Sequence, residues 1–142
     1  EGFIYSNGEE HFSFEHFERL HNTLETEEGY DRAKSIGEIL VSSHVAKVTM
    51  YADMAELISF EGHSVYAVNA PREVRSELGH VLAEKTNSFS MIFTYEKGYW
   101  KCSLRSVKNF DVSLIATKYG GGGHKNAAAF MVPTHFPLPF IH

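Results

Sequence analysis

Four consecutive glycines, Gly120, Gly121, Gly122 and Gly123, run straight into His124, Lys125 and Asn126. Glycine reaches backbone conformations closed to other residues and lets backbone N–H groups come close to an anion. With His124 and Lys125 at its mouth, such a loop suits a phosphate or a carboxylate. The three alanines that follow, Ala127, Ala128 and Ala129, predict a short slim helix from His124. Its N-terminus would add unbonded N–H groups and the positive end of a helix dipole. The competing reading is a plain connector between two helices, against which stands the backbone entropy of ordering four glycines. The run is not the Walker phosphate loop, whose Lys directly follows Gly and precedes Ser or Thr.

The second constellation is Ser103-Leu104-Arg105-Ser106. The stretch Tyr99–Ser106 alternates as a strand does, with Trp100, Cys102 and Leu104 on one face and Lys101, Ser103 and Arg105 on the other. A guanidinium on that second face can fork onto two phosphate oxygens. A lone strand Arg is more often a solvated or ion-paired surface residue; its short chain separation from the glycines raises the functional reading. His11, His16 and His21 recur every five residues, which spreads them around a helix and argues against a metal site. His63 reads as a turn residue. Cys102 falls on the apolar face with no base nearby, so a thiol nucleophile is not expected. Neither HExxH, nor paired cysteines, nor Gly-x-Ser-x-Gly occurs.

The elements that must position these residues follow from periodicity and punctuation. Ser6-Asn7-Gly8 predicts a turn. A helix opening at Ser13 carries Phe14, Phe17, Leu20 and Leu24 on one side and stops at Gly29. A longer helix from about Asp31 to Ala55 follows, although Val45 to Tyr51 also reads as a strand because of its β-branched residues. Segments 55–60 and 64–69 around Glu61-Gly62-His63 predict a β-hairpin. Pro71 suits the first turn of a helix, with Val74, Leu78, Val81 and Leu82 turned inward and an end near Lys85-Thr86-Asn87. Strands are expected at 89–95 and 99–106, joined by a tight turn at Glu96-Lys97-Gly98. Asp111 is placed to N-cap a helix over 112–119 that buries Leu114 and Ile115. A closing strand at 130–132 and an extended tail over 133–142 complete the pattern. The expected fold is α/β: a mixed five-stranded sheet with flanking helices, preceded by a helical linker. A helical connector over 1–54 and a second lobe over 55–142 are the expected divisions.

Composition bounds the class. With 142 residues, 43% apolar and 22% charged, the chain is an ordinary globular domain and not a disordered one. Its only cysteine, Cys102, excludes an intrachain disulfide and fits a reducing compartment. No run approaches the ~18 apolar residues of a membrane span, and no basic-then-apolar signal opens the chain. Beginning at Glu1 and not Met, it is expected to be a piece of something longer. The net charge of −5 makes it a poor nonspecific nucleic-acid binder. Residues 97–125 nonetheless carry six basic residues against Asp111 alone. This is a local patch able to hold a short anion, or else a solvated face.

Ser103-Leu104-Arg105-Ser106, then Asp111-Val112-Ser113 with Ile115-Ala116, then the four glycines with His124, Asn126, Ala127 and Ala128, closely resemble the DHH-associated C-terminal domain. That domain accompanies phosphoesterases named for an Asp-His-His metal motif. Val68-Asn69-Ala70 and Ser76-Glu77-Leu78-Gly79 resemble the oligoribonuclease and exopolyphosphatase-like subgroup. The likeness covers about residues 55–132. It implies a two-domain cytoplasmic phosphohydrolase with two manganese or magnesium ions, whose metals and attacking hydroxide belong to an upstream DHH catalytic domain. This chain shows no Asp-His-His and no Asp-x-Asp, so no metal, cofactor or catalytic residue is assigned to it. Carried over residue by residue, Arg105 and His124 bind substrate phosphate and sugar or base.

The substrate-binding set expected from the whole pattern is Ser103, Arg105, Ser106, Gly120, Gly121, Gly122, Gly123, His124, Lys125 and Asn126. Ala129 stands where the family usually has Gly, which is expected to tighten the helix end. The partners implied are a nucleotide or short oligonucleotide substrate and the upstream domain, with no membrane; a homodimer is compatible with the pattern. The alternative function is a non-hydrolysing module for a nucleotide, a cyclic dinucleotide or single-stranded nucleic acid. An editing-type module like that of alanyl-tRNA synthetase fits less well, because a residue other than His typically stands at the position of His124.

Overall fold

The computed structural model describes residues 4–6, 9–11 and 27–139. The turn expected at Ser6-Asn7-Gly8, the helix opening at Ser13, and His16 and His21 lie wholly or partly outside them. The chain divides into two compact units, Glu1–Ala46 and Lys47–His142. In the first, β1 (Ile4–Ser6) and β2 (Glu9–His11) pair antiparallel with Ser6 opposite Glu9. Helix α1 (Glu27–Met54) begins in this unit, and its last two turns belong to the second. Gly29 lies inside α1 and does not stop a helix there, and the segment from Val45 to Tyr51 is helical. Helical spacing of apolar residues prevails over β-branched propensity in that segment.

The second unit is built on a six-stranded mixed sheet. Its strands are β3 (Glu56–Phe60), β4 (His63–Asn69), β5 (Phe89–Glu96), β6 (Tyr99–Ser106), β7 (Gly122–His124) and β8 (Ala127–Pro133), in the order β3-β4-β5-β6-β8-β7. Two hairpins close through Glu61-Gly62 and Lys97-Gly98, and all four residues have positive φ, between 48° and 87°. That is the two-residue turn whose twist matches the strands it joins. β4 and β5 run parallel, which requires a crossover. A 3-10 turn (Arg72–Val74) after Pro71, then α2 (Arg75–Thr86), supplies it. Asn87 ends α2 in the left-handed conformation. Asp111 caps the short α3 (Val112–Lys118) by accepting from the Ser113 N–H at 2.9 Å.

Each face of the sheet carries its own core. On one, Phe60, Phe89, Met91, Cys102, Leu104 and Phe130 pack with Val112 and Ala116 of α3. On the other, Val68 and Ile92 pack beneath Val74, Leu78 and Leu82 of α2 and Val48 of α1. Capping by Asp111 sets the phase of α3 so that Val112 and Ala116, four apart, face inward. The expected burial of Leu114 is therefore overturned: it is 71% exposed, while Ile115 is half-buried. Val81 of α2 is likewise exposed. The tail is not simply extended. Phe136 N–H returns to Pro133 O at 2.9 Å, and Leu138 is buried in the first core.

The sheet has six strands where five were expected because no helix begins at His124. Gly122–His124 is itself a strand, Lys125-Asn126 is a turn, and the three alanines open β8. Alanine is the strongest helix former, but helix propensity is a weak prior that tertiary pairing routinely overrides. Here Ala127, Ala128 and Ala129 pair with Arg105, Leu104 and Ser103 of β6. The anion site expected at a helix N-terminus after the glycines therefore does not exist. The glycine region has to be understood as a strand edge.

Candidate functional site

Arg105 is opposite Ala127 in the β6–β8 ladder, and Ala127 is opposite His124 in the β8–β7 ladder. Directly opposed residues share a face, so Arg105, Ala127 and His124 form one row on the α2 side of the sheet. Two strand spacings, about 10 Å, separate the backbones at its ends. The next row along is Ser103, Ala129 and Gly122. Helix α2 packs over β4, β5 and β6. Over β8 and β7 the same face leaves Ala127 and Ala129 half-buried and Gly122 and His124 exposed. The result is a shelf floored by small residues, with Arg105 along one side and His124 at the other.

Gly79 makes the placement of Arg105 possible. A Cβ there would lie 2.4 Å from Arg105 Cγ, so the arginine stem crosses α2 where the helix has no side chain. Ser90, the β5 neighbour of Arg105, donates from its Oγ to Gly79 O at 2.6 Å and fastens helix to sheet. Arg105 Nη1 donates to Leu104 O at 3.1 Å. The guanidinium is half-buried, and burial pushes its pKa down. Gly79 and Ser90 were not among the expected site residues. The signal for Gly79 was a glycine inside an otherwise regular helical pattern, which usually has a packing reason.

The four glycines have different roles. Gly120, with φ +83°, is the left-handed residue after α3, and its N–H bonds Thr117 O at 3.0 Å while that of Gly121 bonds Ala116 O at 2.8 Å. This is a Schellman cap. A Cβ at Gly121 would meet Ala129 O at 2.1 Å, and one at Gly123 would meet Ala128 Cα at 2.5 Å, so both are needed for close approach to β8. Gly122 is needed for neither reason: a Cβ there meets nothing within 4 Å. Its open side adjoins Ala129, whose methyl belongs to the shelf and does not end a helix, as the sequence had suggested.

Ser106, Lys125 and Asn126 brace the hairpin from within. Ser106 Oγ lies 2.7 Å from Phe110 O and 3.1 Å from Lys125 O, and accepts from Asn126 Nδ2 at 2.8 Å. Val112 N–H donates to Lys125 O at 2.8 Å, and Ser106 N–H to Asn126 O at 3.1 Å. Lys125 Nζ reaches Asn109 Oδ1 at 3.1 Å. Ser103 is buried, and its Oγ has no hydrogen-bond partner. Within the basic segment, Lys118 pairs with Glu61 at 2.7 Å. Cys102 is fully buried, which pushes its thiol up to about 12 and leaves it inert. His63 stands edge-on to Phe89 and Phe110.

No three His, Cys, Asp or Glu side chains come together as metal ligands among the described residues. The described residues do not fit a two-metal centre. None of the described helices is long and apolar enough to cross a membrane.

A mixed sheet with a crossover helix, a glycine-bearing edge hairpin and an Arg–His row defines an α/β domain. The chain belongs to the DHHA1 domain family, whose model matches residues 62–137. An uncharacterised protein of Acanthamoeba polyphaga mimivirus is 34% identical over 96 residues, 63% of this chain and 22% of that protein. Among solved structures, an exopolyphosphatase-related protein from Bacteroides fragilis aligns with a TM-score of 0.44 at 18% identity, over 68% of this chain and 31% of its own. A pGpG-specific phosphodiesterase, PggH, from Vibrio cholerae aligns with a TM-score of 0.46 at 13% identity, over 80% and 40%. The chain thus spans about a fifth of the viral relative and between three and four tenths of these two solved chains.

Proposed function

We propose that this domain is the substrate-holding part of a metal-dependent DHH-type phosphohydrolase acting on short oligonucleotides or related phosphoesters in the cytoplasm. Hydrolysis is assigned to an upstream Asp-His-His domain carrying manganese or magnesium; the part of this chain is to bind and orient. The observation that carries the reading is the row of Arg105, Ala127 and His124 on the open half of the sheet. Arg105 presents a forked donor to phosphate oxygens. His124 lies a nucleotide's span away, suited to a hydrogen bond with sugar or base. Gly122 leaves room for a ligand to approach the strand edge. The ligand-facing set proposed is therefore Arg105, Gly122 and His124, with Ser106, Gly120, Gly121, Gly123, Lys125 and Asn126 shaping the hairpin and Ser103 lying beneath the shelf.

Calorimetry of the 142-residue chain against a mononucleotide and a short oligoribonucleotide tests this reading. His124→Ala is expected to weaken binding by about 1.5–3 kcal/mol, the worth of one hydrogen bond to a charged group. Arg105→Lys is expected to weaken it as well, by keeping the charge but losing the fork. Affinities unchanged across the series, or metal-dependent phosphodiester hydrolysis by this chain alone, would defeat the reading.

A further inference from the structure

Strand β3 ends the sheet on the side away from the glycine hairpin, and among the described strands it pairs with β4 alone. Natural sheet edges are usually blunted by proline, lysine or a bulge. β3 has none of these. Its five residues read Glu-Leu-Ile-Ser-Phe and pair with β4 in unbroken register. Leu57 is 57% exposed, Ser59 is exposed and Ile58 is half-buried.

The hairpin turn fixes which backbone groups this edge presents. Glu61-Gly62 is a two-residue turn, so Phe60 and His63 are the hydrogen-bonded pair that closes it. Such pairs alternate along an antiparallel ladder, so Ile58 and Glu56 also turn their N–H and C=O groups to β4. Leu57 and Ser59 turn theirs to the open edge. A second β3, laid antiparallel about a two-fold axis, matches these groups. Directly opposed residues share a face, and the register that pairs the whole strand puts Ile58 on the axis. Leu57 then lies opposite Ser59 of the second copy, and Glu56 opposite its Phe60. Both Leu57–Ser59 pairs fall at hydrogen-bonding positions, where each exchanges two N–H···O bonds. Ile58 meets its copy at the closer, non-hydrogen-bonded position, and the two Leu57 side chains meet diagonally.

Charge fits the same register. Glu56, Ile58 and Phe60 share the face of the sheet that carries α3, because Phe60 belongs to the core there. Tyr119, next after α3, stacks on Phe60 at 5.6 Å, and Lys118 holds Glu61 at 2.7 Å. Glu56 is exposed and makes no ion pair among the described residues. Placed opposite Phe60 of the second copy, its carboxylate comes to Lys118 of that copy. An ammonium has three donors, so Lys118 can serve Glu61 and the incoming Glu56 together. The two-fold axis repeats this pair on the other side.

We propose that β3 is the seam of a symmetric dimer of this chain, in which two six-stranded sheets join edge to edge. The surface belongs to the sheet edge remote from the Arg105–His124 row, and the proposal does not depend on what that row binds.

Sedimentation of the 142-residue chain over a concentration series tests the seam, with hydrogen exchange as the local readout. The wild type is expected to reach twice its mass of 16.0 kDa, with exchange at the Leu57 and Ser59 N–H groups slowing as it does so. Ser59→Pro removes an N–H aimed at the open edge, a position where an edge strand tolerates proline. It should leave the chain monomeric at concentrations where the wild type is dimeric. Glu56→Lys, a surface change that decides the matter even if the proline variant does not fold, should weaken the dimer about tenfold. High salt should shrink that difference. A wild type that keeps its single mass up to about 1 mM, or one protected at Leu57 and Ser59 without associating, would overturn the proposal. So would a dimer in which these two amides exchange as fast as in the monomer. A Glu56→Lys chain, or a folded Ser59→Pro chain, that dimerises as tightly as the wild type would overturn it equally.

Discussion

Gly79 and Arg105 interlock: the arginine's Cβ and Cγ occupy the space that a side chain at position 79 would need, at 2.8 and 2.4 Å. Helix propensity alone makes Gly79→Ala stabilising by about 1 kcal/mol. The contact reverses that sign, because Arg105 Cβ is anchored to a central strand and cannot swing aside. Gly79→Ala is expected to destabilise the chain by about 1–3 kcal/mol, the usual cost of overpacking, as read by urea unfolding. It should also weaken nucleotide binding by displacing the guanidinium.

Gly122 separates binding from folding. Gly122→Ala has open space and is expected to leave the unfolding midpoint unchanged while weakening nucleotide binding, since its methyl stands over the shelf beside Ala129. Gly121→Ala must displace the backbone of β8 at Ala129 and Phe130, and is expected to cost about 2 kcal/mol or more. Unfolding curves and titrations of the two variants should dissociate in opposite directions.

Asn126 is expected to matter for stability before it matters for any ligand. Its Nδ2 lies 2.8 Å from Ser106 Oγ and 3.3 Å from Lys108 O, joining the hairpin to the β6–α3 loop. Asn126→Ala should cost about 1–3 kcal/mol through the carbonyl and hydroxyl groups left unpaired. Hydrogen exchange should quicken first at Ser106 and Val112, whose N–H groups bond the backbone of residues 125 and 126.

Glu61 confers an acid-sensitive tie. Its pKa is lowered chiefly by the hydrogen bond from Lys118, then by that from Tyr119. A carboxylate depressed in the folded state contributes stability that is full above its unfolded pKa, about 4.3. That stability is lost as pH falls through the lowered folded value. The stability difference between wild type and Glu61→Gln should be constant from about pH 6 to 8 and shrink towards zero below the folded value. Tyr119 acts at the other end. Burial and Glu61 push it up to about 12, so its contribution is intact below about pH 10 and fades as pH rises towards 12. Unfolding across the two pH ranges checks both signs.

Much of the fold was legible because it is written locally. The strand Tyr99–Ser106, the turns at Glu61-Gly62 and Lys97-Gly98, the cap at Asp111 and the helix end at Asn87 all depend on residues a few positions apart. Arg105 and His124 could be singled out as a pair by residue type and motif, but not as neighbours in a row. Their relation passes through Ala127, in a strand whose sequence favours a helix, and only pairing with β6 decides it. The division of labour among the four glycines was equally invisible, since it depends on where β8 passes each of them. The interlock of Gly79 with Arg105 requires a crossover helix to lay its glycine on the right strand. Local rules choose turns, caps and strand periods from short-range sterics and hydrogen bonding. Which strands lie side by side, and therefore which charges share a face, is decided by burial and pairing over long sequence separations, which no short window contains.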